Sequence, residues 1–454
     1  MNIHRYTQYM YSYPHKTAYR ALEGVSLADH LSCLAGSGHS LYLHIPFCQA
    51  KCGYCNLFSV TGQDGEAMDR YLDAVERQLG QYEQYFSGLD TEFSELTLGG
   101  GTPLLLTGRQ LERVFHMIRN HLRLSTKPEI IIETAPNQTD VEKLELLKNA
   151  GVTRVSMGIQ SFFDEELRVL RRNHQAEKAR QSLRLLMDSG FPCVNVDFIY
   201  GVPGQSVESF LASVREAADY QPQELFLYPL YLKHGAYLER RLGPGFVLDE
   251  ELAYRQYREA AAWLRANGYR QDSMRRFVRS GAAGNDGRLT NREFADCGFG
   301  TTLSLGCGGR SYLGNLHCCT PYAVNQCDSL KQLRQYEETE DFGQITHGFV
   351  LSEDERKRRY VIRHLLILPG LDERRYREYF HSEARIEFPE LEKWLAAGYL
   401  ERRGDYLALT DEGLGLSDYL GPQLISPEVR ARMREWEVLH GTGNASIPGE
   451  SKEL

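Results

Sequence analysis

Between residues 41 and 230, short apolar, β-branched runs alternate six times with helical stretches, and this alternation constrains the fold more than any other feature. Strands are predicted at residues 41–45, 95–98, 129–133, 154–157, 193–199 and 224–230. Helices are predicted at 67–86, 108–122, 139–150, 165–170 with 176–189, and 207–218. A parallel neighbour is reached only through a long crossover, so the pattern implies a parallel sheet with right-handed connections. Six units predict an α/β fold, a partial (β/α)6 barrel with its working residues at the carboxyl ends of the strands.

The chain has 454 residues, enough for such a barrel and a smaller domain. Residues 1–38 read as an N-terminal extension, 39–315 as the barrel with its following segment, 316–440 as a C-terminal domain and 441–454 as a disordered tail. Within the C-terminal part, helices at 352–366, 372–380 and 388–397 precede strands at 399–402 and 406–409, a winged-helix outline. The formal charge of −9 argues against nucleic acid as a partner, so the wing is read as a lid or substrate-side module. There is no apolar run of membrane-spanning length, and the polar start Met1–Tyr9 is unlike a signal peptide, so a cytoplasmic protein is expected. In that compartment, ten cysteines argue for metal ligation over disulfides.

Three of those cysteines, Cys48, Cys52 and Cys55, form Cys-x3-Cys-x2-Cys directly after the first strand, in LHIPFCQAKCGYC. Thiolates at this spacing can hold three irons of a four-iron cluster and leave the fourth open to bind and reduce S-adenosylmethionine (SAM). The triplet alone leaves zinc open, although a structural zinc site wants four ligands and no second cysteine pair follows. His44 is a conceivable fourth ligand, but it lies on the strand.

Other polar residues fall at later strand ends. Gly99, Gly100 and Gly101, followed by Thr102, allow close backbone approach and could offer N–H and C=O groups to a ligand. Glu133 closes an apolar run, a costly place for charge without a partner. Gln160, Arg172 and Asp197 stand near later strand ends. Arg275, Arg276 and Arg279 read as a solvated basic helix face, with gripping of an anionic substrate group as the functional alternative. Tyr11 and Tyr13 either close over a substrate or pack against the barrel. Cys297, Cys307, Cys318, Cys319 and Cys327 match no cluster template and read as structural or incidental thiols, with a second cluster or a catalytic thiol as the alternative.

Together, LYLHIPFCQAKCGYC, TLGGGTP, RVSMGIQSF, LRRNH and VDFIYGVPGQ resemble the radical SAM superfamily, specifically its oxygen-independent coproporphyrinogen III oxidase-like branch. The resemblance spans almost the whole chain: YLALTDEG with SDYLG is similar to that branch's terminal domain, and YMYSYPHKTAYR to its Tyr-Ser-Tyr-Pro segment. It implies a [4Fe–4S] cluster on Cys48, Cys52 and Cys55, with SAM on the open iron. It also implies SAM contacts from Gly100, Gly101, Thr102, Glu133, Gln160, Arg172 and Asp197, Tyr54 beside the adenine, and Ile199 near a second SAM. Reductive cleavage of SAM then gives a 5′-deoxyadenosyl radical that takes hydrogen from carbon. The implied partners are a small-molecule substrate and a flavodoxin- or ferredoxin-type reductant.

Two departures shape the expected reaction. Leu57 stands where the oxidases carry a fourth cysteine, and His317–Tyr322 does not match the His-Asn-x-x-Tyr-Trp element of the branch's haem chaperones. A third group in the branch, methyltransferases and cyclopropanases, uses two SAM molecules per active site and is compatible with the triplet. The expected function is therefore methyl or methylene transfer to an unsaturated carbon using a second SAM. The alternatives are oxidative decarboxylation of the coproporphyrinogen III oxidase type and haem chaperoning.

Overall fold

Alternate residues of the six strands face different surroundings, and this difference positions the site. The computed structural model describes residues 4–10, 12–232, 236–243, 246–281 and 300–440. The strands are β1 (Gly36–Ile45), β2 (Thr91–Gly100), β3 (Leu124–Thr134), β4 (Arg154–Gln160), β5 (Cys193–Tyr200) and β6 (Glu224–Pro229), each parallel to the next. One parity, including Leu41, Leu98, Ile132, Met157, Val196 and Leu227, is buried in the apolar layer beneath the helices. The other includes Thr97, Glu133, Ser156, Asn195 and Asp197, and it lines the barrel interior. A closed barrel fills that interior with Val, Ile and Leu. Here the inward parity is largely polar, and a chamber remains.

The crossover helices are α1 (Gly65–Phe86), α2 (Gly108–His121), α3 (Val141–Asn149), α4 (Ala176–Asp188) and α5 (Val207–Asp219). Their starts are set by side chains that satisfy the first free N–H groups. Asp64 caps α1, while Thr107 with Gln110 and Ser206 with Ser209 form capping boxes for α2 and α5.

The sheet does not stop at residue 315, where the sequence suggested a boundary. Thr302–Leu305 joins β1 in parallel, and Arg310–Leu313, Leu316–Cys319, His347–Val350 and Arg20–Ala21 extend that edge antiparallel. The hairpin of Arg310–Leu313 with Leu316–Cys319 carries the sheet across that boundary. A second apolar core gathers Leu365, Leu391 and Leu409 around a three-stranded sheet of Leu371–Asp372, Tyr406–Leu409 and Leu400–Arg403. Its strand pair matches the expected wing.

Met10, Tyr13, Ala18 and Tyr19 of the N-terminal segment belong to this second core. Tyr13 is buried there, donating from its hydroxyl to Glu355 and accepting from the Ser426 N–H at 3.2 Å. Of the two tyrosine readings, packing therefore holds for Tyr13, but against the C-terminal unit; Tyr11 lies outside the described residues. So do Cys297, the tail 441–454 and most of the Gly-rich stretch from Ser280 to Gly287. Among the described residues, no helix is long and apolar enough to cross a membrane.

Candidate functional site

Cys48, Cys52 and Cys55 occupy the loop directly after β1, all half-buried and none in a disulfide. Among the described residues, no three His, Cys, Asp or Glu side chains converge as a single metal ion requires. Burial pushes the Cys48 thiol up to about 12 and raises that of Cys55, so the free thiols stay protonated until metal displaces the protons. His44 is committed elsewhere. Its Nε2 lies 2.9 Å from the Phe58 carbonyl, which anchors the far end of the cysteine loop, and burial lowers its pKa to about 4.

The glycines at the end of β2 form a strap beneath this loop. A Cβ on Gly100, whose φ is +113°, would lie 2.5 Å from the His44 ring, and one on Gly101 would lie 2.6 Å from the Phe47 carbonyl oxygen. Glycine is thus required by space at both positions. The N–H groups expected to meet a ligand are engaged internally instead. Gly100 N–H donates to Glu133 Oε2 at 3.0 Å, Gly101 N–H to the Ile45 carbonyl at 2.7 Å, and Thr102 N–H to the Phe47 carbonyl at 2.8 Å. Thr102 Oγ1 lies 3.8 Å from Cys48 Sγ, so the strap reaches a cysteine of the triplet directly.

Further round the barrel mouth, Gln160, Arg172 and Asp197 gather about Gly158. Gln160 ends β4 with φ +76°, rare for a side chain of its kind, and its Oε1 is buried without a partner among the described residues. Arg172 donates from Nη1 to Cys52 Sγ at 3.0 Å and from Nη2 to the Gly158 carbonyl. Asp197 is the register partner of Gly158 and accepts from Asn195 Nδ2 at 2.8 Å. Burial raises the Glu133 carboxyl to about 7 and that of Asp197 to about 6, because neither has a direct cationic partner strong enough to offset lost hydration. Tyr54 packs against the apolar group of Leu170, Ile199, Val202, Leu230 and Leu238. The twelve residues that the resemblance assigns to the cluster and SAM are thus brought to one end of the barrel.

Two adjoining cavities open from this end and share Thr97 and Glu133 in their walls. One, of about 310 Å³, runs toward Asn195, Arg275 and Asp418; the other, of about 330 Å³, runs toward His44, Leu57, Gly308 and Arg310. Leu57 lines the second, so an apolar side chain faces the chamber where the oxidases carry their extra thiol.

The arginine expectation is corrected. Arg276–Arg279 is a strand, not a helix face. Arg276 is buried against Glu224, which also holds Arg154 at 2.7 Å, and Arg275 is held by Asp418 at 2.5 Å. Arg275 lines the first cavity with its charge already matched by the fold. Sequence reasoning missed Arg154, Ser156 and Asn195 in the chamber wall. Their only sequence signal was a polar residue at the inward parity of an otherwise apolar strand.

A chamber at the carboxyl ends of a parallel barrel, with a cysteine triplet on the first loop, defines a class. Residues 42–217 match the family model of the radical SAM superfamily, so this stretch is a radical SAM domain. The chain is similar to coproporphyrinogen III oxidases and to haem chaperones. It is 29% identical to the oxygen-independent coproporphyrinogen III oxidase of Escherichia coli over 342 residues, covering 73% of this chain and 72% of the relative. It is 27% identical to the heme chaperone HemW of the same organism over 383 residues, covering 82% and 94%. The solved structure of coproporphyrinogen III oxidase (HemN) from Escherichia coli superposes with a TM-score of 0.75 at 25% identity, covering 89% of this chain and 94% of that one.

Proposed function

We propose that this chain binds a [4Fe–4S] cluster through Cys48, Cys52 and Cys55, with SAM beside it, and abstracts hydrogen from a carbon of a small molecule held in the twin cavities. The observation that carries the reading is the set of direct contacts that ties the triplet to the glycine strap and Arg172, and the strap to Glu133, which lines the first cavity with Asp197. When bound, the cluster and SAM together supply an electron and a carbon-centred radical. The protein's own residues do the rest. Glu133 and Asp197 offer acceptors to hydroxyl or ammonium groups, and Tyr54 with Ile199 offers an apolar face to an adenine. Arg172 keeps its Nε–H, buried and without a partner among the described residues, for a carboxylate. The walls of the barrel and the C-terminal unit keep water from a reactive intermediate.

For the outcome at the substrate carbon, oxidative decarboxylation of the coproporphyrinogen III oxidase type has the support of the relatives in sequence and fold. Methyl or methylene transfer with a second SAM stands as a second reading. One observation favours it: two cavities meet at Glu133, which gives room for two ligands on either side of one carboxylate. A chaperone role without carbon chemistry has the support of the haem chaperone relatives. An electron donor of the flavodoxin or ferredoxin type fits either reaction, in a cytoplasmic setting.

One experiment separates these readings. The reconstituted chain is incubated anaerobically with dithionite and methyl-deuterated SAM, with and without coproporphyrinogen III. Carbon dioxide release with unlabelled 5′-deoxyadenosine supports the decarboxylase. Deuterium in the 5′-deoxyadenosine together with S-adenosylhomocysteine supports methylene transfer. Stoichiometric haem binding with neither product supports the chaperone.

A further inference from the structure

We infer that Arg172 sets the reduction potential of the cluster by hydrogen bonding to Cys52, separately from any contact it makes with SAM. The inference rests on the reading that the triplet holds a [4Fe–4S] cluster. Arg172 follows the short helix Asp164–Val169, and Nη1 donates to Cys52 Sγ at 3.0 Å, while Nη2 is fixed on the Gly158 carbonyl at the end of β4. The backbone is clamped as well, since Gly53 N–H donates to the Leu170 carbonyl at 2.9 Å. A Cβ on Gly53 would lie 3.3 Å from both that carbonyl oxygen and the Arg171 Cβ, so the cysteine loop and this turn are in close contact. Drift of the guanidinium from the sulfur therefore also strains its bond to the Gly158 carbonyl.

Hydrogen bonds and positive charge at a cluster sulfur stabilise the more negative, reduced state, and so raise the reduction potential. Arginine suits the task because it cannot lose its proton and its planar fork serves two acceptors in fixed directions. The other cysteines receive less. Their donors are neutral: the Thr102 hydroxyl at 3.8 Å and the Ser59 hydroxyl for Cys48, and the Leu57 N–H for Cys55, while the Lys51 Nζ is held by the Val324 carbonyl at 2.5 Å. Cys52 is thus the sulfur at which the protein acts most directly on the cluster.

The test uses full-length wild type, Arg172→Lys and Arg172→Gln, each reconstituted anaerobically and assayed for iron and sulfide. Each is then titrated with dithionite and mediators in the absence of SAM, with the EPR signal of the reduced cluster reporting the midpoint. The expected result is equal iron and sulfide in all three, the lowest midpoint in Arg172→Gln, and an intermediate one in Arg172→Lys. A full cluster with an unshifted midpoint in Arg172→Gln overturns the proposal. If Arg172→Gln loses its cluster, Arg172→Lys decides alone: a lowered midpoint supports the proposal and an unchanged one overturns it. A wild-type chain that takes up no iron instead refutes the cysteine assignment, and the role of Arg172 with it.

Discussion

The Arg275 guanidinium and the Asp418 carboxylate meet at 2.5 Å in the wall of the first cavity and join the barrel to the C-terminal unit. Tyr231 shares both partners, the Tyr9 ring lies 3.7 Å beneath the guanidinium, and Gln8 N–H donates to the Asp418 carbonyl at 3.2 Å. Four separated segments of the chain thus converge on one buried ion pair, which closes the chamber without presenting net charge to a ligand.

Asp418→Asn leaves the Arg275 charge buried with only neutral partners. Both side chains are almost wholly enclosed, at 6% and 1% exposure, so the loss is expected to cost about 3–5 kcal/mol, the usual penalty for breaking a buried pair. The midpoint of urea unfolding should fall accordingly. Adding Arg275→Met to that variant should recover part of the loss, because the uncompensated charge goes with it. If Asp418→Asn unfolds at the wild-type midpoint, the pair has no such structural weight.

Glu133 gives the stability of the cofactor-free chain a pH dependence of predictable sign. Its carboxyl is raised by burial from 4.5 to about 7 in the folded chain. Between those values the folded state binds a proton that the unfolded state has released, so stability falls as pH rises through that window. Glu133→Gln removes this contribution. The variant should match the wild type near pH 4.5 and become progressively the more stable of the two up to pH 7, with no further gain above. Urea unfolding of both chains at several pH values reads the gap, and a gap that does not widen with pH contradicts the burial argument.

The barrel was legible because strand–helix alternation is a local property: each apolar run and each helix start is written within a few residues, as in the capping box of Thr107 and Gln110. The cysteine triplet, the strap and Glu133 were legible for the same reason, as chemistry at a strand end. What the strap does was not. Its N–H groups bond to Ile45, Phe47 and Glu133, and no spacing rule reveals whether a donor will face a ligand or its own fold. Arg275 was misread because its partner Asp418 lies 143 residues away and belongs to the other core. The sheet edge formed by Leu316–Cys319 and His347–Val350 was likewise hidden, since strand pairing across a long connection leaves no local mark.

The strap predicts a sharp response at Gly101. A methyl group there would meet the Phe47 and Ile45 carbonyl oxygens at 2.6 and 2.9 Å, and backbone cannot rotate away as a side chain can. Gly101→Ala should cost about 1–3 kcal/mol of stability, as overpacking does. It should also displace the cysteine loop, because those carbonyls accept the Gly101 and Thr102 N–H bonds. Lower iron uptake per folded chain than the wild type is the expected readout. By contrast, Gly65→Ala, where nothing lies within 4 Å, should leave iron uptake unchanged. Equal iron in wild type and Gly101→Ala removes the strap from any role in shaping the loop.

Cys48→Ala tests the centre of the reading most directly. Cys48 sits in the two-residue strand Phe47–Cys48, whose pairing with Val60–Thr61 does not need the thiol, so the fold should survive the substitution. Cluster assembly should not, since two thiolates leave two irons without protein ligands. The expected outcome is a chain with wild-type circular dichroism, little iron or sulfide after reconstitution, none of the brown colour and no cleavage of SAM. Cys327→Ala, at an exposed thiol that is not one of the triplet, should keep full iron content under the same conditions. A Cys48→Ala chain that stays brown and cleaves SAM at the wild-type rate would assign the cluster to other ligands.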